Sequence, residues 1–186
     1  MNKRQEIEKL KARMRSDKHL PFAKSAKQLV FGEGSLNPEI YILGEAPGRM
    51  EDEIGRPFVG RSGKLLRALI QNAGFLEKNV YITSVVRFRP PHNKTPNPGE
   101  VAAYEKYVDE ELKIIQPKVI VTVGAVSLKK FTKEPISQIH GMPRRAEWLG
   151  HKFNLVPMFH PAAALRNPNI RRLLEADFKK LKKMLN

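Results

Sequence analysis

Gly44-Glu45-Ala46-Pro47-Gly48-Arg49-Met50-Glu51-Asp52-Glu53-Ile54-Gly55-Arg56-Pro57-Phe58-Val59-Gly60 is the stretch on which the reading of this chain turns. An apolar run, Ile40-Tyr41-Ile42-Leu43, precedes it with the length and bounds of a buried strand. After it, Leu65, Leu66, Leu69 and Ile70 fall at helical spacing. The stretch is therefore a loop at the carboxyl end of a strand, where open α/β sheets bind ligands. Its four glycines and two prolines allow close approach of the backbone and hold it stiff. Glu45, Glu51 and Phe58 then face one cleft. Gly55 to Ser62 comes within one residue of a Walker A loop, but Arg61 stands in place of the lysine. Pro57 also deletes an amide from the would-be phosphate nest, so nucleotide triphosphate binding is set aside.

Outward from that loop the strand–helix alternation repeats. A charged amino-terminal helix over about residues 2–15 carries Ile7, Leu10 and Met14 on one face. Strands are expected at about 39–44, at Val80–Val86, at Lys118–Gly124 and at Phe153–Phe159, with Pro157 marking an edge or a strand end. Helices are expected over 62–73, closed by Gly74, over 99–114, over 125–131, and from Asn167 and Pro168 onward. The last carries Ile170, Leu173, Leu174, Phe178 and Leu181 as its apolar face. Residues 132–152 read as irregular and basic. The pattern predicts one α/β domain over 1–186, a parallel sheet with helices on both faces. The loops after strands one, two and four then share one rim. The second of these, Arg87-Phe88-Arg89-Pro90-Pro91-His92-Asn93-Lys94-Thr95-Pro96, is basic and proline-rich. It is either a phosphate-tracking loop or a solvated linker, and its place at a strand's carboxyl end favours the first.

Charge narrows the partner. Among 186 residues, 34 Lys and Arg face 19 acids, for a net charge of +15, which favours a polyanion such as nucleic acid over a merely solvated surface. No cysteine is present, which excludes disulfides and cysteine-ligated metal. The five histidines show no metal-binding spacing, so no metal site is expected. No apolar run is long enough for a signal peptide or a membrane span, and an intracellular soluble protein is expected.

Gly44-Glu45-Ala46-Pro47-Gly48, Glu51-Asp52, Gly55-x-Pro57-Phe58-Val59-Gly60 and His160-Pro161-x-x-x-Leu165-Arg166 together resemble the family 4 uracil-DNA glycosylases. The likeness runs from about Gly32 to the end and includes Arg89-Pro90-Pro91 and Pro117-Lys118-Val119-Ile120-Val121. It implies a three-layer sandwich with a four-stranded parallel sheet in order 2-1-3-4, and a base flipped out of DNA at the carboxyl rim. By the same resemblance Phe58 stacks on the extruded base, although it could instead anchor the loop. Glu51 sits against the base's C5 edge, and the backbone from Glu45 through Ala46 and Pro47 to Gly48 binds base or phosphate through its amides. Glu45 and Asn93 orient the attacking water, and His160 donates to the uracil O2. Leu165 and Arg166 enter the minor groove, while Arg61, Arg87, Arg89 and Lys94 are expected on the DNA backbone.

Two departures from the family stand out. The resemblance implies a [4Fe–4S] cluster on four cysteines, and their positions here hold Asp17, Leu20, Phe88 and Tyr104. No cofactor is expected, and Leu20, Phe88 and Tyr104 are expected to pack together and tie down the amino-terminal segment. The family's second strand usually ends in an asparagine that reads the base, and this chain has Ser84. A hydroxyl cannot supply the paired donor and acceptor of an amide, so looser selectivity, with hypoxanthine or xanthine as further substrates, is expected. A smaller departure is His92, where the family often has glycine; a related branch traps uracil-DNA covalently through a histidine in this loop, but its loop is longer and its histidine sits one place nearer the Lys-Thr-Pro. The expected function is a monofunctional glycosylase for uracil or another deaminated base in DNA. It is expected to be monomeric, cytoplasmic and nucleoid-associated. The alternative is a catalytically impaired or trapping DNA-binding protein.

Overall fold

Alternation along the strands sorts the molecule into layers. Ile40 and Ile42 join the core on one side of the sheet, and Tyr41 and Leu43 join the core on the other, as the two-residue strand period requires. The computed structural model describes residues 2–185. In it β1 (Glu33–Gly34), β2 (Ile40–Gly44), β3 (Val80–Ser84), β4 (Val119–Val123), β5 (Arg144–Trp148) and β6 (His151–Met158) form one sheet in the order β1-β3-β2-β4-β6-β5. The inner strands β3, β2, β4 and β6 run parallel, and the two edge strands are antiparallel to their neighbours.

The expected four-stranded parallel sheet is thus corrected to a six-stranded mixed one, whose interior holds the four expected strands. Both added strands lack the signal that identified the others. β1 is two residues long. β5 lies in the stretch read as irregular, and none of its five positions is buried. A polar edge strand needs no apolar run. The turn between β5 and β6 is a two-residue hairpin in which Leu149 and Gly150 both have positive φ, 53° and 78°, the combination that a type I′ turn demands. Pro157 lies beyond the reach of β5, whose pairing with β6 stops at Leu155, so it disturbs no ladder there.

The helices in chain order are α1 (Lys3–Ser16), α2 (Arg49–Ile54), α3 (Arg61–Asn72), α4 (Pro98–Ala102), α5 (Glu105–Ile115), α6 (Ala125–Leu128), α7 (Ile136–Ile139), α8 (Pro161–Ala164) and α9 (Pro168–Leu185). α1 and α5 pack together on the Tyr41 side, and α3, α8 and α9 on the Ile40 side. Asn2 and Gln5 form a reciprocal capping box at the start of α1. α3 ends at a left-handed Gly74, with the Phe75 N–H bonded to the Ile70 carbonyl at 3.2 Å and the Gly74 N–H to Gln71 at 2.9 Å, a Schellman closure. Asn167 caps α9 through the Asn169 N–H at 2.9 Å. Leu174, Phe178 and Leu181 are buried in α9, each contributing roughly 1.5–3 kcal/mol. Leu173, expected on that face, is 42% exposed. The single helix expected over 99–114 is two helices, broken at Tyr104, whose hydroxyl donates to the Pro21 carbonyl at 2.5 Å.

Tyr104 belongs to a seam between the amino-terminal segment and the body. Leu20, Phe88 and Tyr104 share the core on the Tyr41 side. The Tyr104 oxygen also accepts from the Phe88 N–H. Asp17 accepts from the Tyr107 hydroxyl at 2.6 Å and pairs with Lys106 at 3.3 Å. Two hydrocarbon side chains, an engaged phenol and one carboxylate cannot ligate iron as four thiolates do, so these residues do not fit a [4Fe–4S] cluster. No helix among the described residues is long and apolar enough to cross a membrane.

Candidate active site

Gly44 and Ser84 are register partners at the ends of β2 and β3, so the loops that follow leave the sheet at one level. The loop after β6 leaves at the same end. Between them lies a cavity of about 370 Å³. Its walls include Glu45, Ala46, Pro47, Gly48, Glu51 and Phe58 from the first loop, and Ser84 from the strand end. Asn93, Lys94 and Thr95 come from the basic loop, and His160 and Arg166 from the last. Every residue expected to bind the base or take part in the chemistry lines this one cavity.

Close packing at the floor explains Gly44. A Cβ there would stand 2.4 Å from the tip of the Phe58 ring and 3.3 Å from the Ser84 hydroxyl, so ring and hydroxyl converge on the same point. Phe58 holds a left-handed backbone, φ 52°, a conformation that costs a non-glycine residue about 1–2 kcal/mol. Arg67 secures it, donating to the Phe58 carbonyl at 3.0 Å and the Pro57 carbonyl at 2.9 Å. Gly63 leaves room beneath, where any Cβ would meet the Phe58 backbone at 2.1 Å.

Glu51 is buried, and its carboxylate accepts from three amides: Gly48 at 3.1 Å, Val59 at 2.8 Å and Gly60 at 2.7 Å. It cross-links the two halves of the loop and so sets the cavity wall. Glu45 is only partly exposed, and burial raises its carboxyl above the ordinary range, a shift the neighbouring Thr95 hydroxyl partly offsets. Asn93 follows His92 in a pair of left-handed residues, φ 54° and 55°. Its side-chain oxygen accepts from Arg89 Nε at 2.7 Å. An arginine can only donate, which orients the amide.

His160 is oriented by its own turn. Its Nδ1 accepts from the Ala162 N–H at 3.1 Å, so in the neutral ring the proton sits on Nε2. Burial first, and the Arg166 charge second, lower its pKa to about 4 against the opposing pull of Glu51. The ring is therefore a neutral Nε2–H donor at neutral pH. Its centroid lies 6.3 Å from that of Phe58. Just past β4, Gly124 at φ 98° backs it, with a Cβ there only 3.2 Å from the His160 Cβ.

The expected DNA contacts divide. Leu165 and Arg166 are exposed at the mouth, Arg61 is exposed at the start of α3, and Lys94 lines the cavity while pairing with Glu100 at 2.7 Å. Arg89 is half-buried and engaged with Asn93. Arg87 contradicts the expectation. It is fully buried, paired with Glu111 at 2.7 Å and 3.1 Å, and Tyr41 and Tyr81 donate to the same carboxylate at 2.5 Å and 3.0 Å. Its position continues the inward alternation of β3, so it braces the loop from inside rather than facing a ligand. His92 is exposed and is not among the residues lining the cavity. Thr95 and Ser62, both in the cavity wall, escaped the sequence reading. Thr95 had only its adjacency to Asn93-Lys94 to mark it.

Residues 31–185 match the family model of the uracil DNA glycosylase superfamily. The chain is 41% identical over 185 residues to the type-4 uracil-DNA glycosylase of Sulfurisphaera tokodaii, covering 96% of this chain and 84% of that protein. It is 41% identical over 170 residues to the type-4 uracil-DNA glycosylase of Thermotoga maritima, covering 89% of this chain and 87% of that one. Over 156 residues it is 32% identical to a DNA polymerase of Bacillus phage SP01, covering 83% of this chain but 16% of the polymerase.

Proposed function

The chain belongs to the uracil DNA glycosylase superfamily, and from that premise we propose that it is a monofunctional DNA glycosylase that hydrolyses the N-glycosidic bond of uracil in DNA, opening base excision repair. One observation carries the reading. Glu45, Phe58, Ser84, Asn93 and His160 come from four separate segments and line a single cavity. A flipped base stacks on Phe58, with Ser84 at its edge and the wall held by Glu51 against a C5 methyl group.

In the reaction the C1′–N bond breaks and its electron pair goes to the base. His160 Nε2–H donates to the oxygen on which that negative charge gathers. Water, held by Glu45 and Asn93, bonds to C1′ and gives its proton to the ionised Glu45. A neutral donor suits this step, because an anion forms beside it without a competing proton transfer. The products are a free base and an abasic site. No step draws on a metal or a cluster. Arg61, Arg89, Lys94, Leu165 and Arg166 hold the DNA, and Arg87 takes no part in that contact. The protein acts as a monomer in the cytoplasm, on the nucleoid.

Ser84 widens the base range. One hydroxyl replaces a paired donor and acceptor, so discrimination against hypoxanthine and xanthine weakens by about 1–3 kcal/mol. An alkali-cleavage assay on labelled oligonucleotides carrying uracil, hypoxanthine or xanthine tests both parts. Uracil cleavage lost in His160→Ala upholds the chemistry. Binding without cleavage of any base by the wild type would sink it in favour of a DNA-binding protein that has lost catalysis. Excision of uracil with rejection of both purines leaves the enzyme standing and removes the wider range.

A further inference from the structure

Helix α2 is built inside out. Its buried side chains are Glu51 and Asp52, whereas its two apolar ones, Met50 and Ile54, are 39% and 52% exposed. Four residues apart, they share one face of the helix. The buried carboxylates are explained within the fold. Glu51 binds three amides of the loop, and Asp52 accepts from the Lys27 N–H at 2.9 Å and the Gln28 N–H at 3.3 Å. The apolar face has no such role inside the chain and meets solvent.

That face begins at the lip of the cavity. Gly48 and Glu51, which flank Arg49-Met50, both line it. The Met50 Cβ lies 3.6 Å from where a Cβ on Gly60 would stand. Leu165, 38% exposed, follows β6, which stands on the far side of β4 from β2, and its neighbour Arg166 also lines the cavity. Each lip therefore pairs an exposed apolar side chain with an arginine: Met50 with Arg49, and Leu165 with Arg166.

We propose that Met50 and Ile54 form a second apolar wedge, seated against the duplex beside the flipped nucleotide on the side away from Leu165. This deepens the glycosylase reading and rests on it. The occupant follows from charge and continuity. A chain of net charge +15 gathers a polyanion, and the Met50 end of the stripe lies beside Gly48 and Glu51 of the cavity wall. Methionine, isoleucine and leucine are side chains that proteins push between base steps to hold a kinked duplex open. Two wedges keep the stack apart on both sides of the gap. A single strand has no stack to hold apart and needs neither.

The test compares Met50→Ala, Ile54→Ala and the double variant with the wild type, on uracil in a duplex and in the same strand alone. In the double variant kcat/KM on the duplex falls about tenfold, and on the single strand it changes by less than about twofold. The Tm stays within about a degree, because both side chains are exposed. Equal effects on the two substrates, or none on either, overturn the wedge; the stripe then serves the fold or a protein partner. Should the wild type excise no uracil, the glycosylase reading fails by itself. Fluorescence anisotropy then decides the wedge: loss of duplex affinity with single-strand affinity intact upholds it, and unchanged duplex affinity overturns it.

Discussion

The cavity rim and the seam around Tyr104 are built on opposite terms. At the rim, Phe58, His92 and Asn93 hold left-handed backbones, Glu45 is ionised only against the cost of burial, and His160 is kept neutral by it. At the seam each polar group has found its partner. Asp17 sits below the ordinary carboxylate range, chiefly because the Tyr107 hydroxyl donates to it, and the Tyr104 hydroxyl is bonded on both sides. Left-handed residues also stand at Phe22 beside the seam and at Gln116 and Leu149, so what sets the rim apart is its buried ionisable groups, whose cost the surrounding fold tolerates. A metal cluster is one way to tie the amino-terminal segment down; here packed rings and hydrogen bonds do so.

The widest separation between the two regions comes from truncating one residue in each. His160→Ala removes the donor to the departing base and lowers kcat by about 10²–10³, with a loss of roughly 1 kcal/mol in stability from the lost turn contact to Ala162. Phe88→Ala reverses the pattern, costing about 3–5 kcal/mol of stability while activity per folded molecule holds. Denaturant melts alongside single-turnover kinetics separate the two. An unchanged Tm for Phe88→Ala breaks the comparison on the seam side, and loss of activity in the still-folded variant breaks it on the rim side.

The rim was more legible in sequence than the edges of the sheet, for a physical reason. Glycines and prolines at Gly44–Gly60 are dictated by backbone shape and close approach, and those demands restrict residue type at each position. His160-Pro161 marks a strand end in the same way. β5 carries no comparable restriction, since a solvent-facing edge tolerates Arg144-Arg145-Ala146-Glu147 as well as many other runs. Arg87 misled because the charge of a residue says nothing about its direction. A fully buried arginine is legible only once Glu111, Tyr41 and Tyr81 are known to surround it. The split of α4 from α5 was hidden likewise, because it depends on the Tyr104 contact to Pro21, which is 83 residues away.

A smaller effect probes the rim from within. Ser84→Asn restores an amide at the cavity floor, with its own donor and acceptor. Uracil excision rises and purine excision falls, and their ratio shifts about tenfold or somewhat more. Competition assays with mixed uracil and hypoxanthine oligonucleotides read that ratio directly. A ratio that stays put would mean that the floor does not read the base edge, and selectivity would then reside in the Glu51 wall. Glu51→Gln distinguishes that case, since the amide keeps its size and can keep its oxygen on the Val59 and Gly60 N–H groups, but loses the charge and turns a donor toward the Gly48 N–H.

The smallest effect concerns stability and pH, and its sign differs between two residues of the same cavity. The His160 pKa lies near 4 in the folded protein against 6.5 as the ordinary value. As pH falls through that window the unfolded chain takes up a proton that the folded one refuses, and stability is lost. Glu45 works the other way. Its folded pKa is raised, so on acidification the folded protein is protonated before the unfolded chain, and the burden of the buried charge is relieved. The two slopes oppose each other, which flattens the wild-type profile. Glu45→Gln removes one of them: the variant is inactive, is more stable than the wild type at neutral pH, and loses stability more steeply than the wild type as pH falls from about 6.5 to about 4. Thermal melts across that range measure both the offset and the slope. A variant no more stable than the wild type at neutral pH would show that the Glu45 charge is held without cost, and the contrast between rim and seam would then rest on His160 alone.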